Sequence, residues 1–215
     1  SALGFNFAEV TSKIERISDS RVNINYYVQR GDKTKISKII FIGDKKVKDR
    51  RLRDVIASEE DKPWKFLSKN TSLNNVNIDL DKRLLTNYYK SIGYYDVQII
   101  SSSAEIKKND TTNLTYNINA GTRYKIIKFS TVTDQVLDKK IFLPLQKVYK
   151  KEIGKYYSPF AVKKILDKVD TIIDLNDLQS VEHSVNEIVD DNGIEVKINI
   201  FEGDKNLVQR INVTG

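Results

Sequence analysis

Residues 79–97 read DLDKRLLTNYYKSIGYYDV, and this stretch decides the fold of the chain. Leu80, Leu84 and Tyr88 recur every four residues, which predicts a helix with one wide apolar stripe. Gly93 follows where a helix end often needs a left-handed residue, because glycine adopts that conformation without a Cβ clash. Beyond Gly93 the apolar period changes from about 3.6 to 2, so we expect the helix to turn directly into a strand. Three further apolar residues lie beside the stripe: Leu85, Tyr89 and Ile92.

A complete folding unit can be assembled outward from this stretch. Upstream, residues 35–43 alternate like a strand, and residues 47–57 carry the spacing of a short helix. Downstream, we expect a strand from Tyr94 to about Ile106, a polar turn, and a second strand through residues 114–118. The predicted order is therefore strand, helix, helix, strand, strand.

A second unit with the same order follows. Its first strand is predicted at residues 124–129, and a helix is expected from near Asp134 to a point before Pro144, because proline excludes the preceding residue from a helix. The dipeptide Ser158-Pro159 predicts another helix start, with a hydroxyl cap and then proline at the first helical position. A hairpin is expected over residues 181–201. The second helix is predicted to bury Phe160, Val162, Ile165, Leu166, Val169 and Ile173.

Internal repetition extends this pattern toward both ends of the chain. Short turns of similar composition close a strand at Gly31, Gly121 and Gly203, which are 90 and 82 residues apart. A period of this length indicates tandem small domains, since solenoid repeats are shorter. Before the first complete unit, residues 4–10 and 21–28 predict a hairpin. After the second, residues 207–215 have the pattern of another opening strand.

Composition excludes several classes of function. The chain has no cysteine, so disulfides, thiolate catalysis and cysteine-ligated metals are impossible. Its only histidine is His183, its nine glycines are isolated, and no serine lies in a nucleophile elbow. No apolar run approaches the roughly 20 residues that a membrane-spanning helix needs. The sequence therefore predicts no catalytic residue, no cofactor and no metal site.

The net charge of +7 is compatible with a nucleic-acid or an anionic membrane partner, since 36 basic residues face 29 acidic ones. Most lysines alternate with Asp and Glu, which is typical of a solvated surface. Short basic clusters occur at residues 45–48 and 147–151, and the acidic run at residues 59–61 has the pattern of a solvated turn. A basic nucleic-acid-binding protein is thus a remote alternative.

The helix end Leu84-Leu85…Tyr88-Tyr89…Gly93-Tyr94, in this order of elements, resembles the POTRA domain. A tandem array of such units resembles the BamA family of outer-membrane protein assembly factors, in particular the third and fourth domains of alphaproteobacterial members. The second unit departs from the motif, because residues 175–178 read LNDL in place of the Gly-aromatic pair. The resemblance implies that residues 1–31 are the C-terminal hairpin of a truncated POTRA domain, residues 35–121 and 122–205 are complete POTRA domains, and residues 207–215 are the first strand of a further one.

The resemblance implies an α+β fold in which each unit has a mixed three-stranded sheet, in the order first-third-second, with two helices on one face. It also implies a non-enzymatic periplasmic scaffold, attached to the outer membrane through a β-barrel outside this chain. The implied partners are unfolded outer-membrane β-barrel proteins, accessory assembly lipoproteins and that C-terminal membrane β-barrel, with no nucleic acid. Related alternatives are the POTRA module of a two-partner secretion transporter or of a cell-division protein.

In this strand order the second strand of each unit lies at an edge, where unpaired N–H and C=O groups can accept another extended chain. The alternative is a solvated edge without a partner. An exposed aromatic contact in the insert at residues 58–75 also has an alternative, which is packing on its own domain. His183 is more simply an ordinary strand residue. The predicted binding edge is Asp96, Val97, Gln98, Ile99, Ile100 and Ser101, and the secondary candidates are Trp64, Phe66, Val181, His183 and Val185.

Overall fold

The chain folds into two compact units, each of which contains one three-stranded sheet. A computed structural model describes residues 9–18, 21–29, 34–65, 69–107 and 111–203. The first unit comprises residues 1–89 and 96–121, and the second comprises residues 90–95 and 122–215. Residues 90–95 thus belong to the second unit by their contacts. The first two of them are the last two residues of the helix in the opening stretch.

The first two strands form an antiparallel hairpin, as predicted. Strand β1 (Glu9–Ser18) pairs with β2 (Arg21–Gln29), and the register shifts between Arg16 and Ser18. β1 lies further along the chain than the alternation of residues 4–10 indicated. Residues 4–8 lie outside the described residues, as does the strand predicted at 207–215.

The sheet of the first unit has the strand order β3-β5-β4. β3 (Lys35–Asp44) is parallel to β5 (Thr111–Asn119), whereas β4 (Gln98–Ile106) is antiparallel to β5. The mixed sheet and its order confirm the prediction. β3 and β4 are therefore the two edges of this sheet.

Helices α1 (Asp49–Val55) and α2 (Asn75–Ser91) bury their inner faces against this sheet. The buried row of α2 lies one residue from the predicted stripe, whose members Leu80 and Leu84 are only half-buried. Both rows belong to one broad face of the helix. Tyr89 is fully buried on this face, where its hydroxyl group donates a hydrogen bond to the carbonyl oxygen of Lys45. The buried residues of α2 are Asp81, Leu85 and Tyr89.

The second unit repeats the sheet with the order β6-β8-β7. β6 (Ile126–Thr133) is parallel to β8 (Gly193–Glu202), and β7 (Val181–Asp190) is antiparallel to β8. The hairpin of β7 and β8 is closed by Asp190, whose Oδ1 accepts hydrogen bonds from the next turn. β6 and β7 are therefore the edges of the second sheet.

The first helix of the second unit lies after Pro144, not before it. A 3₁₀ turn (Lys139–Phe142) is followed by α3 (Leu145–Glu152), and Pro144 has helical dihedral angles immediately ahead of α3. The predicted helix from Asp134 to a point before Pro144 is wrong. Leu143 also has helical dihedral angles, so the rule that proline excludes the preceding residue from a helix does not hold here. The fixed φ of Pro144 suits the start of a helix, where its missing N–H has no partner to lose.

Helix α4 (Pro159–Leu175) begins as predicted, because Ser158 Oγ accepts a hydrogen bond from Phe160 N at 3.3 Å. Phe160 itself is 73% exposed, so its predicted burial is wrong. It lies two residues before Val162, about 200° around the helix from that buried side chain. The buried face of α4 consists of Val162, Ile165, Val169, Ile172 and Ile173.

Candidate protein-binding site

The two edges of the first sheet differ in how their backbone groups are satisfied. On β3, the insert at residues 58–75 folds back along the outer edge. Asp61 N donates to Ile36 O at 2.7 Å, and Leu73 N donates to Thr34 O at 2.8 Å. The insert thus supplies hydrogen bonds that a further strand would otherwise make.

Two side chains extend this cover around Ile39. Glu60 Oε1 accepts a hydrogen bond from Ile39 N at 3.1 Å, and Arg53 Nη2 donates to Ile39 O at 3.1 Å. Arg53 Nε and Glu60 Oε1 also form an ion pair at 3.3 Å. A carboxylate and a guanidinium, which we call the edge cap, therefore replace the C=O and N–H of a neighbouring strand. Covering of this kind closes a sheet edge to other chains.

Glu60 is held in its ionised form. Burial raises the pKa of its carboxyl group, but the Ile39 N–H and the cations Lys62 and Arg53 outweigh burial and lower the pKa below its ordinary value of 4.5. Lys62 Nζ lies 3.3 Å from Glu60 Oε2. Because an ionised carboxylate is the stronger acceptor, the edge cap is fully formed at neutral pH.

β4 has no comparable cover in the part of the chain that the structure describes. It pairs with β5 alone. Lys107 N donates to Thr111 O at 2.7 Å, and successive residues of an antiparallel strand direct their backbone groups to opposite sides. Ser103 and Glu105 therefore face β5, whereas Ser102 and Ala104 direct their N–H and C=O groups outward.

Only four of the six predicted edge residues lie within β4, and the other two precede it. Asp96 and Val97 precede the strand, and Val97 is buried, so these two residues are not part of the edge. Gln98 and Ile99 lie within β4. The register shifts between Ile99 and Ser101, so Ile100 is a bulge residue with a side chain that is 59% exposed. The regular part of the edge is thus residues 101–106, further along than the predicted segment.

A groove lies between β4 and α2. Ser102 and Ala104 pair across the sheet with the buried residues Tyr116 and Leu114, and so lie on the helix-covered face. Because both side chains are small, a cavity of about 390 Å³ remains between them and α2. A second cavity of about 330 Å³ lies beside Ile99. Alternate side chains of an extended chain are about 7 Å apart, so a chain added to β4 has space for side chains on this face.

β7 is the corresponding edge of the second unit. Ser180 O accepts a hydrogen bond from Gly203 N at 2.6 Å, so the backbone groups of Ser180 face β8. Because direction alternates along a strand, the backbone groups of Val181 and of every second residue after it point outward. The candidates Val181, His183 and Val185 belong to this outward set, and their side chains are half-buried. His183 Nε2 lies 2.8 Å from Asp170 Oδ1 on α4. His183 thus contributes a strand-to-helix contact.

Two tyrosines partly fill the groove between β7 and α4. Tyr95 Oη donates to Glu187 Oε2 at 2.8 Å, Tyr157 Oη donates to Glu187 Oε1 at 2.6 Å, and the two rings pack edge to face with centroids 5.0 Å apart. Burial raises the pKa of Tyr157, and the hydrogen bond and charge of Glu187 raise it further. The remaining cavity of about 480 Å³ is also lined by Val185. The only sequence signal for this cluster is Glu187, a charged residue among the half-buried side chains of the alternating strand β7.

Trp64 lies in a 3₁₀ turn (Pro63–Lys65) of the insert, and its side chain is 72% exposed. The alternative, packing on its own domain, is therefore wrong for Trp64. Glu60 Oε1 and the backbone N–H of Asp61 bond the insert to β3 instead. Lys62 Nζ lies 5.9 Å from the centre of the indole ring, within the range of a cation–π attraction. Phe66 lies outside the described residues.

Within the described ranges, no three His, Asp or Glu side chains converge as metal ligands would. Nor does any helix in these ranges combine the length and the apolar character that crossing a membrane requires.

Comparison with known proteins gives a consistent result. Residues 34–121 match the family model of POTRA, the surface antigen variable number repeat. The outer membrane protein assembly factor BamA of Neisseria meningitidis serogroup B is 23% identical over 215 residues, which cover 96% of this chain and 26% of that protein. BamA of Neorickettsia risticii is 25% identical over 126 residues, or 59% of this chain and 17% of that protein. The chain thus spans about a quarter of the length of the Neisseria relative.

Two solved structures share the fold. The crystal structure of Haemophilus influenzae BamA POTRA3-5 has a TM-score of 0.51 and 16% identity, and the match covers 94% of this chain and 74% of that one. POTRA1-2 of the periplasmic domain of Omp85 from Anabaena has a TM-score of 0.52 and 10% identity, with 81% and 99% covered. At these identities the likeness shows the fold alone.

A mixed three-stranded sheet covered by two helices and repeated in tandem defines the class of POTRA modules. Residues 34–121 match the model of that class directly. Over its length the chain is similar to the POTRA region of BamA proteins.

Proposed function

We propose that this chain is a non-enzymatic periplasmic scaffold of the outer-membrane protein assembly machinery and that it binds extended polypeptide segments by strand addition. In this proposal residues 35–121 and 122–205 are two complete POTRA domains, residues 1–31 end a preceding domain, and residues 207–215 begin a following one. The equal strand order of the two sheets supports the tandem assignment. The names of the relatives support the assembly role.

The observation that carries the proposal is the contrast between β3 and β4. The insert and the edge cap satisfy the outer groups of β3. β4 offers the outward N–H groups of Ser102 and Ala104 beside two cavities. An uncovered edge strand risks aggregation, and this unit protects one edge while leaving the other open. A partner that adds to β4 accounts for the difference.

The chemistry of this edge favours partners of many sequences. Hydrogen bonds from the backbone of β4 do not depend on the side chains of the added strand, and the cavities select only loosely by size. Unfolded outer-membrane β-barrel proteins consist largely of such extended segments, so they are the proposed primary partners. Accessory assembly lipoproteins are the second proposed class. The chain is proposed to be held at the outer membrane through a C-terminal β-barrel outside this chain.

Two further sites are secondary in this proposal. β7 is a weaker acceptor than β4, because Tyr95 and Glu187 already occupy one end of its groove. Trp64 offers an exposed indole ring that suits a protein contact at the insert. Both sites lie on elements other than β4, so binding at either one can be distinguished by experiment from binding at the β4 edge.

Amide hydrogen exchange with a strand peptide from an outer-membrane β-barrel tests the proposal. We expect exchange to slow at Ser102 and Ala104, whose N–H groups point outward, and to change little at Ser103, whose N–H already bonds to β5. The matched control is the same peptide with proline at alternate positions, which cannot complete the ladder. Peptide binding without protection at Ser102 and Ala104 would overturn the proposed edge, and protection along β7 instead would move the site to the second unit.

A further inference from the structure

We propose that the second unit carries a docking surface for an anionic phospholipid bilayer. This surface, the lysine face, consists of Val136, Lys139, Leu143, Lys147, Lys150 and Lys151. It goes beyond strand addition, because it lies between residues 136 and 151, on and around the 3₁₀ turn and α3, and uses no edge strand.

The helical path of α3 places most of these residues on one side. Leu143 and Pro144 have helical dihedral angles, so the path begins at Leu143, ahead of the first hydrogen-bonded turn. Lys147, Lys150 and Lys151 follow Leu143 at spacings of four, seven and eight residues, which brings all four side chains to one face. The opposite face buries Leu145 and Tyr149. α3 therefore separates an apolar core face from a cationic outer face.

The acidic neighbours of this surface form their bonds with other groups. Asp138 Oδ1 accepts a hydrogen bond from Lys140 N at 2.9 Å, and Asp134 Oδ2 accepts one from Glu202 N at 3.1 Å. Glu152 pairs with Lys155 at 3.1 Å. These carboxylates are engaged elsewhere, and among the described residues the four lysines of the lysine face form no ion pair.

Exposed apolar side chains distinguish a bilayer from other anionic partners. Leu143 is 60% exposed one helical turn before Lys147, and Val136 is 69% exposed three residues before Lys139. Lys139 and Leu143 line one shallow cavity of about 150 Å³. Lysine stems can lie along an apolar surface while their ammonium groups reach phosphates, and leucine can enter the boundary between headgroups and acyl chains. A nucleic acid or an acidic peptide would use the charges but leave Leu143 in water.

Vesicle flotation of the chain tests the proposal, with phosphatidylglycerol-containing vesicles compared with pure phosphatidylcholine vesicles. We expect binding to the anionic vesicles alone. Each lysine near an anionic surface strengthens binding about five-fold, so the triple variant Lys147→Gln, Lys150→Gln, Lys151→Gln should bind about 100-fold more weakly. The matched control, Lys38→Gln, Lys107→Gln, Lys164→Gln, removes three exposed but scattered lysines and also lowers the net charge from +7 to +4. An equal loss in both triples would overturn the proposal, because net charge alone would then explain binding.

A second pair of variants tests insertion. Leu143→Ser should weaken vesicle binding, whereas Leu175→Ser, which changes an even more exposed leucine on α4, should not. In a Trp64→Phe background, Leu143→Trp should show a blue-shifted emission with anionic vesicles only. Binding to an acidic peptide that is as strong as vesicle binding, and that is insensitive to Leu143→Ser, would assign the surface to an acidic protein and refute the bilayer.

Discussion

The phenolic oxygen of Tyr116 lies 2.6 Å from Oδ2 of Asp81, and both residues are fully buried. The other carboxylate oxygen of Asp81 accepts hydrogen bonds from Ala57 N at 2.6 Å and from Ser58 N at 3.1 Å. Tyr116 belongs to β5, Asp81 belongs to α2, and Ala57 begins the segment that leaves α1. One carboxylate therefore joins the sheet, the second helix and the base of the insert that closes β3.

Replacement of Asp81 by alanine should destabilise the first unit strongly. The change leaves two backbone N–H groups and one phenol without an acceptor, and each unpaired buried group costs about 1–3 kcal/mol. We expect the free energy of unfolding in urea to fall by about 3 kcal/mol or more. Asp81→Asn keeps one carbonyl oxygen for the backbone N–H groups, so it should lose roughly half as much.

Asp79 provides the matched control, because it lies on the same helix with an exposed carboxylate. Asp79→Ala should change the free energy of unfolding by less than about 0.5 kcal/mol. Similar losses at Asp79 and Asp81 would show that helix propensity, not the buried hydrogen bonds, accounts for the effect.

Asp81 also illustrates what a sequence pattern can predict. The period of residues 79–97 predicts α2, and the resemblance adds the strand order, both of which the structure confirms. The predicted direct turn from Gly93 into a strand is wrong, because β4 begins only at Gln98. The pattern does not distinguish Asp81 from a solvated acid, because its partner Tyr116 is 35 residues away. In a sequence pattern, a helical row that contains an aspartate is assigned to the polar side of the helix. The row that is buried in the structure, Asp81, Leu85 and Tyr89, therefore lies one residue along from the predicted apolar stripe.

The candidate site shows the same limit. Alternation predicts strands from Tyr94 to about Ile106 and from Val181 onward, but the start of β4 at Gln98 and its bulge at Ile100 depend on pairing with β5, a contact that no local pattern contains. The edge cap is harder still to predict, since Glu60 stands in an acidic run that is typical of a solvated turn. Only the fold brings it to Arg53 and the backbone of Ile39.

Removal of the edge cap should make the chain self-associate. Arg53→Ala with Glu60→Ala leaves the N–H and C=O of Ile39 unpaired on an accessible edge, which is a template for pairing with another copy. We expect a sedimentation coefficient that rises with protein concentration in the micromolar range. Arg50→Ala with Asp54→Ala is the control, because it also removes one charge of each sign from the same cavity but leaves Arg53, Glu60 and Lys62 in place. Concentration-independent sedimentation of both variants would mean that the insert alone closes this edge.

Stability should decline in alkali because several tyrosines are buried. Burial raises the pKa of Tyr116, with a further increase from Asp81, and burial also raises the pKa of Tyr149 and Tyr157. Above the unfolded pKa of about 10, the folded state retains protons that the unfolded state releases. The stabilisation is therefore complete below about pH 10 and is lost as the pH rises, by up to about 1.4 kcal/mol per pH unit for each tyrosine.

Urea unfolding at about pH 9 and about pH 11 measures this slope. Tyr157→Phe should make it shallower, since one of the raised groups is removed. Tyr26→Phe, which changes an exposed tyrosine of β2, should leave the slope as it is. A wild-type free energy of unfolding that stays level over this range would contradict the protonated state assigned to these phenols.

Proline at two neighbouring positions of β4 should separate folding from binding. Ser103 N faces β5, so Ser103→Pro removes a ladder hydrogen bond and should lower the free energy of unfolding by about 1–3 kcal/mol or more. Ala104 N points outward, so Ala104→Pro should leave stability nearly unchanged but weaken a labelled strand peptide about ten-fold in fluorescence anisotropy, because the peptide loses a backbone donor. Ala104→Ser keeps the N–H and should bind as the wild type does.

If Ala104→Pro binds the peptide normally while it remains folded, the partner does not add to this edge. If Ala104→Pro unfolds the unit as Ser103→Pro does, the outward direction of Ala104 is wrong, and the two results are distinguished by the urea curves alone.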